Sequence, residues 1–190
     1  GIPEYKSLTE NLNVSSRKFG SVVSIYCLNK NVYFIASNSI VLKSQNKYSI
    51  IWSEKSIKNT FVVGTNLFIE YTEGGIGLVL NNEIQNLRIS SEWVNKDLIS
   101  VIPYRKSKVI LFHKTLGFCI TRLNNESDTA SIECESIHRD YTKELLLQEP
   151  TGAKQLDNDR IAIFTNLSGV YILDRDLNLI SILNKAKGIK

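Results

Sequence analysis

One pattern recurs four times along this 190-residue chain and limits what it can fold into. An apolar run meets a short polar turn and then a second apolar run. The pairs are Val32-Tyr33-Phe34-Ile35 with Ile40-Val41-Leu42, Leu67-Phe68-Ile69 with Ile76-Gly77-Leu78-Val79-Leu80, Val109-Ile110-Leu111-Phe112 with Phe118-Cys119-Ile120, and Ile161-Ala162-Ile163-Phe164 with Val170-Tyr171-Ile172-Leu173. The small residue ahead of each second run is Ser39, Gly75, Gly117 or Gly169, at spacings of 36, 42 and 52 residues. Repeats of this period are supersecondary units too small to bury their own faces, so they become stable only by stacking.

Each pair is flanked by two more strand-like runs. Ahead of it stand residues 22–26, 61–63, 98–102 and 153–156. After a polar turn come Tyr48-Ser49-Ile50-Ile51-Trp52, Glu83-Ile84, Ala130-Ser131-Ile132 and Leu177-Asn178-Leu179-Ile180. The turns are residues 44–47, Asn81-Asn82, 124–128 and Arg175-Asp176. Asn81-Asn82 is the clearest of them, because Asn tolerates the positive φ of a tight hairpin. The central runs are continuously apolar rather than alternating, which means burial on both faces. Four antiparallel strands in up-and-down order, stacked face to face, make an all-β fold of β-propeller blades. We expect residues 1–190 to be a single propeller-type segment, with units at about 18–54, 55–95, 96–149 and 150–184 and residues 185–190 opening a further repeat. An immunoglobulin-type sandwich would not repeat one four-strand pattern in register, and a solenoid would show shorter, more uniform periods. The insertion at 136–152 holds good helix formers over 141–149 halted by Pro150, so one short helix is expected there. An arc of about four blades leaves an apolar face at each end, so self-association through those faces is expected, ahead of a tighter curl into a closed ring of four.

Composition narrows the function classes. The 23 basic and 19 acidic residues give a net charge of +4 and a pI near 8.9, without the basic stripe of a nucleic-acid binder. Arg105-Lys106-Ser107-Lys108 and the tail at 185–190 read as solvated segments. No run reaches the ~20 apolar residues that span a bilayer, so no membrane contact is expected of this segment. The N-terminus lacks the apolar stretch of a signal peptide, and the chain has no Met, which suggests an excised piece of a longer protein. Cys27, Cys119 and Cys134 have no metal spacing. A hairpin turning near Glu126 and Ser127 would place Cys119 and Cys134 on adjacent strands, where they either pair as a disulfide or remain buried thiols.

Catalytic patterns are sparse. His113 ends an apolar strand and reads as a packing residue. His138-Arg139-Asp140 matches a kinase triplet but lacks the downstream Asn and the Gly-rich loop. Glu133 and Glu135 share one strand face, whereas glycosidase carboxylates usually come from separate elements. No catalytic residue, cofactor or metal site is expected. The loops joining second and third strands emerge on one face of a propeller, and they carry Asn38, Glu73, Lys114 and Asn166 as candidate ligand-binding residues. Such residues also favour turns for purely local reasons.

Aligned on the Gly slot, the repeats resemble those of the bacterial two-component regulator propeller family, the sensor regions of hybrid histidine kinases and triple-tyrosine-domain transcriptional regulators. A strong repeat of that family reads as an apolar residue, Trp, Ile, Gly, Thr, two variable residues, Gly and Leu. Here the Trp positions fall on Tyr33, Ile69, Leu111 and Ile163 and the Thr positions on Ala36, Thr72, Lys114 and Asn166. Thr72 and the three glycines match. The stretch at 180–189 resembles an outer strand followed by the opening of a next repeat, so the likeness covers about residues 18–190. The resemblance implies an arc of a larger propeller, held in the periplasm as part of an inner-membrane regulator. Its role would be non-enzymatic sensing of a small-molecule or glycan ligand. The alternatives are an intracellular propeller acting as a protein-interaction scaffold, favoured by the free cysteines and the absence of a secretion signal, and a propeller-based polysaccharide lyase or glycosidase.

Overall fold

The computed structural model describes residues 10, 12, 18–45, 47–89, 93, 97–105, 108–122, 131–132, 134–157 and 159–184. They form four antiparallel sheets, here called blades. Blade 1 runs β1 (Val22–Leu28), β2 (Asn31–Ala36), β3 (Ser39–Ser44), β4 (Lys47–Trp52). Blade 2 runs β5 (Ile57–Val63), β6 (Asn66–Tyr71), β7 (Ile76–Leu80), β8 (Glu83–Ile89). Blade 3 is built from β9 (Leu98–Pro103), β10 (Lys108–His113), β11 (Gly117–Arg122) and β13 (Glu135–Ile137), with β12 (Ser131–Ile132) intervening in the chain. After helix α1 (Thr142–Leu147), blade 4 runs β14 (Pro150–Gln155), β15 (Arg160–Thr165), β16 (Gly169–Asp174), β17 (Leu179–Leu183). This is a stack of propeller blades.

The continuous apolar runs lie where burial on both faces demands them. Leu67 to Tyr71 in β6 and Val109 to His113 in β10 are buried throughout, whereas β1 and β4 alternate toward solvent. One core joins blades 1 and 2 around Ile35, Ile40, Leu67 and Ile69. A second joins blades 2 and 3 around Phe68, Leu78, Trp93, Val101 and Leu111. The third joins blades 3 and 4 around Ile110, Phe112, Phe118, Ile163 and Tyr171, with Leu145 of α1 beneath. Leu12 and Phe19 cover Ala36 and Val41 on the outer face of blade 1, where Ser39 Oγ donates to the Phe19 carbonyl at 3.1 Å.

The turns explain the repeated small residue. Gly75, Gly117 and Gly169 all have φ between +79° and +94°, and a Cβ at Gly169 would stand 2.2 Å from the Leu183 carbonyl oxygen. Only Gly fits there. The blade 1 turn is one residue shorter, so Ser39 occupies the slot without positive φ. That deletion corrects the register read from spacing: the residue matching Ile69, Leu111 and Ile163 is Phe34, not Tyr33, and Ser37 rather than Ala36 matches Thr72, Lys114 and Asn166. Burial agrees, because Phe34 packs on the same side of its blade as those three do of theirs. Asn81 and Asn82 both have positive φ, as expected of a tight hairpin, and Asn29 and Lys30 form a second such turn.

A further correction concerns blade 3. Ser131 and Ile132 do not supply its fourth strand; they pair in parallel with Arg88 and Ile89 at the outer edge of blade 2. The fourth strand is β13, paired Phe118 to Ile137. Cys119 and Cys134 are bonded, with Cα atoms 5.4 Å apart, so the disulfide closes the excursion that carries β12. The short helix forms where the insertion was expected to hold one, and Glu149, at φ 54°, turns the chain into Pro150 at the start of β14. The expectations placed on 1–6, Lys106-Ser107, Ala130, the 124–128 turn, Glu133 and the 185–190 tail lie outside the described residues.

Candidate functional site

The first strands of the blades stand side by side. Tyr26 Oη of β1 donates to the Thr60 carbonyl of β5 at 3.3 Å, and Ser100 Oγ of β9 donates to the Ala153 carbonyl of β14 at 3.1 Å. A groove runs along these strands. One part of it, about 380 Å³, is lined by Tyr26, Val62, Ile102, Pro103 and Gln155 among others. The other, about 330 Å³, shares Thr60 and Phe61 with the first and is lined by Lys58, Asn59, Asp97, Lys114 and Thr151. Beside it lies a recess of about 140 Å³ between Lys58, Glu70, Glu73 and Asp97. Both spaces touching Lys58 lie at the end of the disc where second and third strands are joined.

A buried carboxylate organises this end. Glu70 of β6 is 4% exposed. Its Oε2 accepts from Asn59 Nδ2 at 2.7 Å, and its Oε1 accepts from the Leu98 backbone N–H at 2.9 Å. Lys58 Nζ lies 3.4 Å from the same Oε1 and 2.5 Å from Asp97 Oδ1. The carboxylate therefore ties β5 and β6 of blade 2 to the first residue of β9 in blade 3. The hydrogen bond from Lys58 holds the Asp97 carboxyl below its ordinary value, with the charges of Lys58 and Lys114 adding to it against a small opposing effect of burial. The same bond to Asp97 raises Lys58, opposed by burial and aided by Glu70. Burial pushes the neighbouring Tyr71 hydroxyl up to about 12.

Backbone geometry places the four residues picked from sequence. In three blades the first turn residue donates its N–H to the residue preceding the first strand: Thr72 to Ser56, Lys114 to Asp97 and Asn166 to Glu149. Lys114 is thus fixed beside Asp97 and lines the groove, while Glu73 lines the adjoining recess. Asn38 and Asn166 line neither of these spaces. The Asn38 carbonyl accepts from Ser53, and Asn166 Nδ2 donates to Glu149 Oε2 at 3.3 Å. Lys58, Asn59, Glu70 and Asp97 were missed by sequence reasoning. The signal available was a single acidic residue breaking the apolar run Leu67-Phe68-Ile69-Glu70-Tyr71. His113 is buried with its ring 4.6 Å from that of Trp93. Among the described residues no three His, Cys, Asp or Glu side chains gather as metal ligands, and no helix is long and apolar enough to cross a membrane.

No protein-family model matches the chain, and no curated protein matches it. Solved structures do. The extracellular domain of a B. thetaiotaomicron protein described as a hybrid two component system superposes with a TM-score of 0.65 at 17% identity, covering 94% of this chain and 24% of that one. A second extracellular domain from the same organism, described as that of a one component system, gives 0.57 at 10% identity over 90% of this chain and 26% of its own. The N-terminal domain of Nup159 gives 0.54 at 13% identity, covering 81% and 45%. At these identities the likeness establishes the shared blade architecture, and the chain spans about a quarter of the length of the two extracellular domains. The blade architecture expected from the repeats is thus shared with these solved structures.

Proposed function

We propose that this chain is a non-enzymatic, ligand-binding segment in the extracytoplasmic sensor region of a bacterial membrane-bound regulator, of two-component or transcriptional type, in the periplasm. The observation that carries the reading is the superposition of 94% of the chain on an extracellular two-component domain. The Cys119 to Cys134 disulfide supports it, because such bonds persist in oxidising compartments. The groove along the first strands is the binding surface, and its mixture of amide, hydroxyl and aromatic groups suits a glycan. In this reading the segment itself contacts neither nucleic acid nor membrane. It self-associates through exposed blade faces, above all that of blade 4, where Phe164 and Leu183 are 40% and 38% exposed; sedimentation of Phe164→Glu against the unaltered chain tests that contact.

A panel of mono- and oligosaccharides titrated calorimetrically tests the sensing role. Saturable binding by at least one member is expected, and a panel silent up to millimolar concentrations would overturn it. A second reading, a protein-interaction scaffold, draws on the likeness to the Nup159 domain, a protein solved in complex with Dbp5 and Gle1, and on the exposed free thiol of Cys27. Capture of a defined protein partner by a chain that binds no sugar would favour it.

A further inference from the structure

The four blades put their equivalent residues in equivalent places, so a departure from the pattern is informative. The second-strand position that faces the next blade, one residue before the strand's end, is Ile35 in blade 1, Phe112 in blade 3 and Phe164 in blade 4. In blade 2 it is Glu70. Burying a carboxylate where an aliphatic or aromatic side chain would serve carries a desolvation cost that packing does not require. Local rules broken in this way are expected where a chain keeps a functional arrangement.

What Glu70 arranges is the polar end of the groove. It fixes Asn59 and the start of β9 directly, and through Lys58 it reaches Asp97. The corresponding junction of blades 3 and 4 is filled by Phe112 and Phe118 instead. Lys58 is held by both Glu70 and Asp97, whereas the Lys114 ammonium, exposed on the groove wall, makes no ion pair among the described residues and acts on Asp97 only from farther off. Asn59, Thr60 and Thr151 offer hydrogen bonds to hydroxyl groups, and Phe61 offers an apolar wall. About 330 Å³ suits a small polar solute.

Building on the sensing role, we infer that the junction of blades 2 and 3 is the ligand site, with Glu70 as its positioning residue. Its ligand is a hydroxylated carboxylate of the sugar-acid class whose anionic group meets Lys114. The Lys114 contact gives such a ligand its advantage over the neutral sugar of the same shape.

Calorimetric titration with glucuronate and with glucose tests the inference. Glucuronate is expected to bind about tenfold or more tighter, the scale of one charge-assisted contact. Lys114→Gln is expected to abolish that preference. Glu70→Gln, measured well below its melting temperature, is expected to weaken glucuronate about tenfold, as loss of one charged partner would, and Glu70→Asp to recover part of the loss. Asn166→Ala is expected to change nothing. Equal affinity of the unaltered chain for the two sugars, or a preference that survives Lys114→Gln, would overturn the anionic ligand and leave the sensing role standing. Glu70→Gln binding with unaltered affinity while melting lower would make Glu70 a purely structural residue and overturn its positioning role. If both sugars fail while the wider panel yields a ligand, the sugar-acid assignment falls alone; if the whole panel fails, the sensing role falls with it.

Discussion

The junction between blades 2 and 3 and the junction between blades 3 and 4 solve the same packing problem with opposite chemistry. At equivalent positions the first places Glu70, hydrogen-bonded to Asn59 and to Leu98 N–H, and the second places Phe112, stacked on Phe118 with ring centroids 4.6 Å apart. The aromatic junction gains from burial that needs no partner. In the polar junction the interaction with three neighbouring groups offsets the desolvation of one carboxylate, and that arrangement reaches the groove as Lys58 and Asp97. Both junctions have an apolar core, but at this one position the aromatic pair contributes packing and the carboxylate contributes chemistry.

Removing the aromatic ring should have the largest effect. Phe112→Ala, at a position fully shielded from solvent, is expected to cost about 3–5 kcal/mol in urea unfolding. A loss below that of Glu70→Gln would reverse the ranking of the two junctions. Next comes the disulfide, whose Cys119 lies in the blade 2 and 3 core. Cys134→Ser is expected to cost about 3 kcal/mol by freeing a loop of this size in the unfolded chain, and to speed hydrogen exchange where β8 pairs with β12. Unchanged exchange at Arg88 and Ile89 would show that the bond does not hold β12 in place.

Smaller effects sharpen the contrast. Glu70→Gln keeps the shape and one acceptor but loses the charge, for an expected cost of about 1–2 kcal/mol. The smallest effect belongs to the exposed pair. Asp97→Asn is expected to cost under about 1 kcal/mol and to lose its effect in high salt, because the carboxylate is largely solvated. The pH dependence has a definite sign. Asp97 titrates lower folded than unfolded, so its contribution is present above the ordinary carboxylate value and disappears as pH falls through the depressed one. Lys58 titrates higher folded, so its share is present below the ordinary lysine value and disappears as pH rises through the raised one. Asp97→Asn should flatten the acid limb of a melting profile relative to the unaltered chain. A limb of the same steepness would assign it to other carboxylates.

The sequence carried most of the architecture because its signals are local. Continuous apolar runs marked strands buried on both faces, as β6 and β10 prove to be, and the glycine slot marked turns that need positive φ. Two things were not local. The parallel pairing of Ser131 and Ile132 is with Arg88 and Ile89, far away in the sequence, and a two-residue strand has no periodicity to read. Glu70 was hidden for a different reason. The family resemblance was read at the Trp and Thr positions of the repeat, and Glu70 stands at the Ile position between them. Alignment on the glycine slot or on strand ends sets Glu70 in one column with Phe112 and Phe164. Of the turn residues chosen as ligand contacts, Lys114 and Glu73 border the groove and its recess, but what distinguishes them from Asn38 and Asn166 is the neighbouring junction rather than anything in their own turns.

The most direct test is amide chemical-shift mapping of the chain during a glucuronate titration. The largest shifts are expected at Lys58, Asn59, Leu98 and Lys114, lining one end of the groove between blades 2 and 3. Largest shifts around Phe112, Phe118 and Tyr171, or at the turns of Asn38 and Asn166, would contradict it.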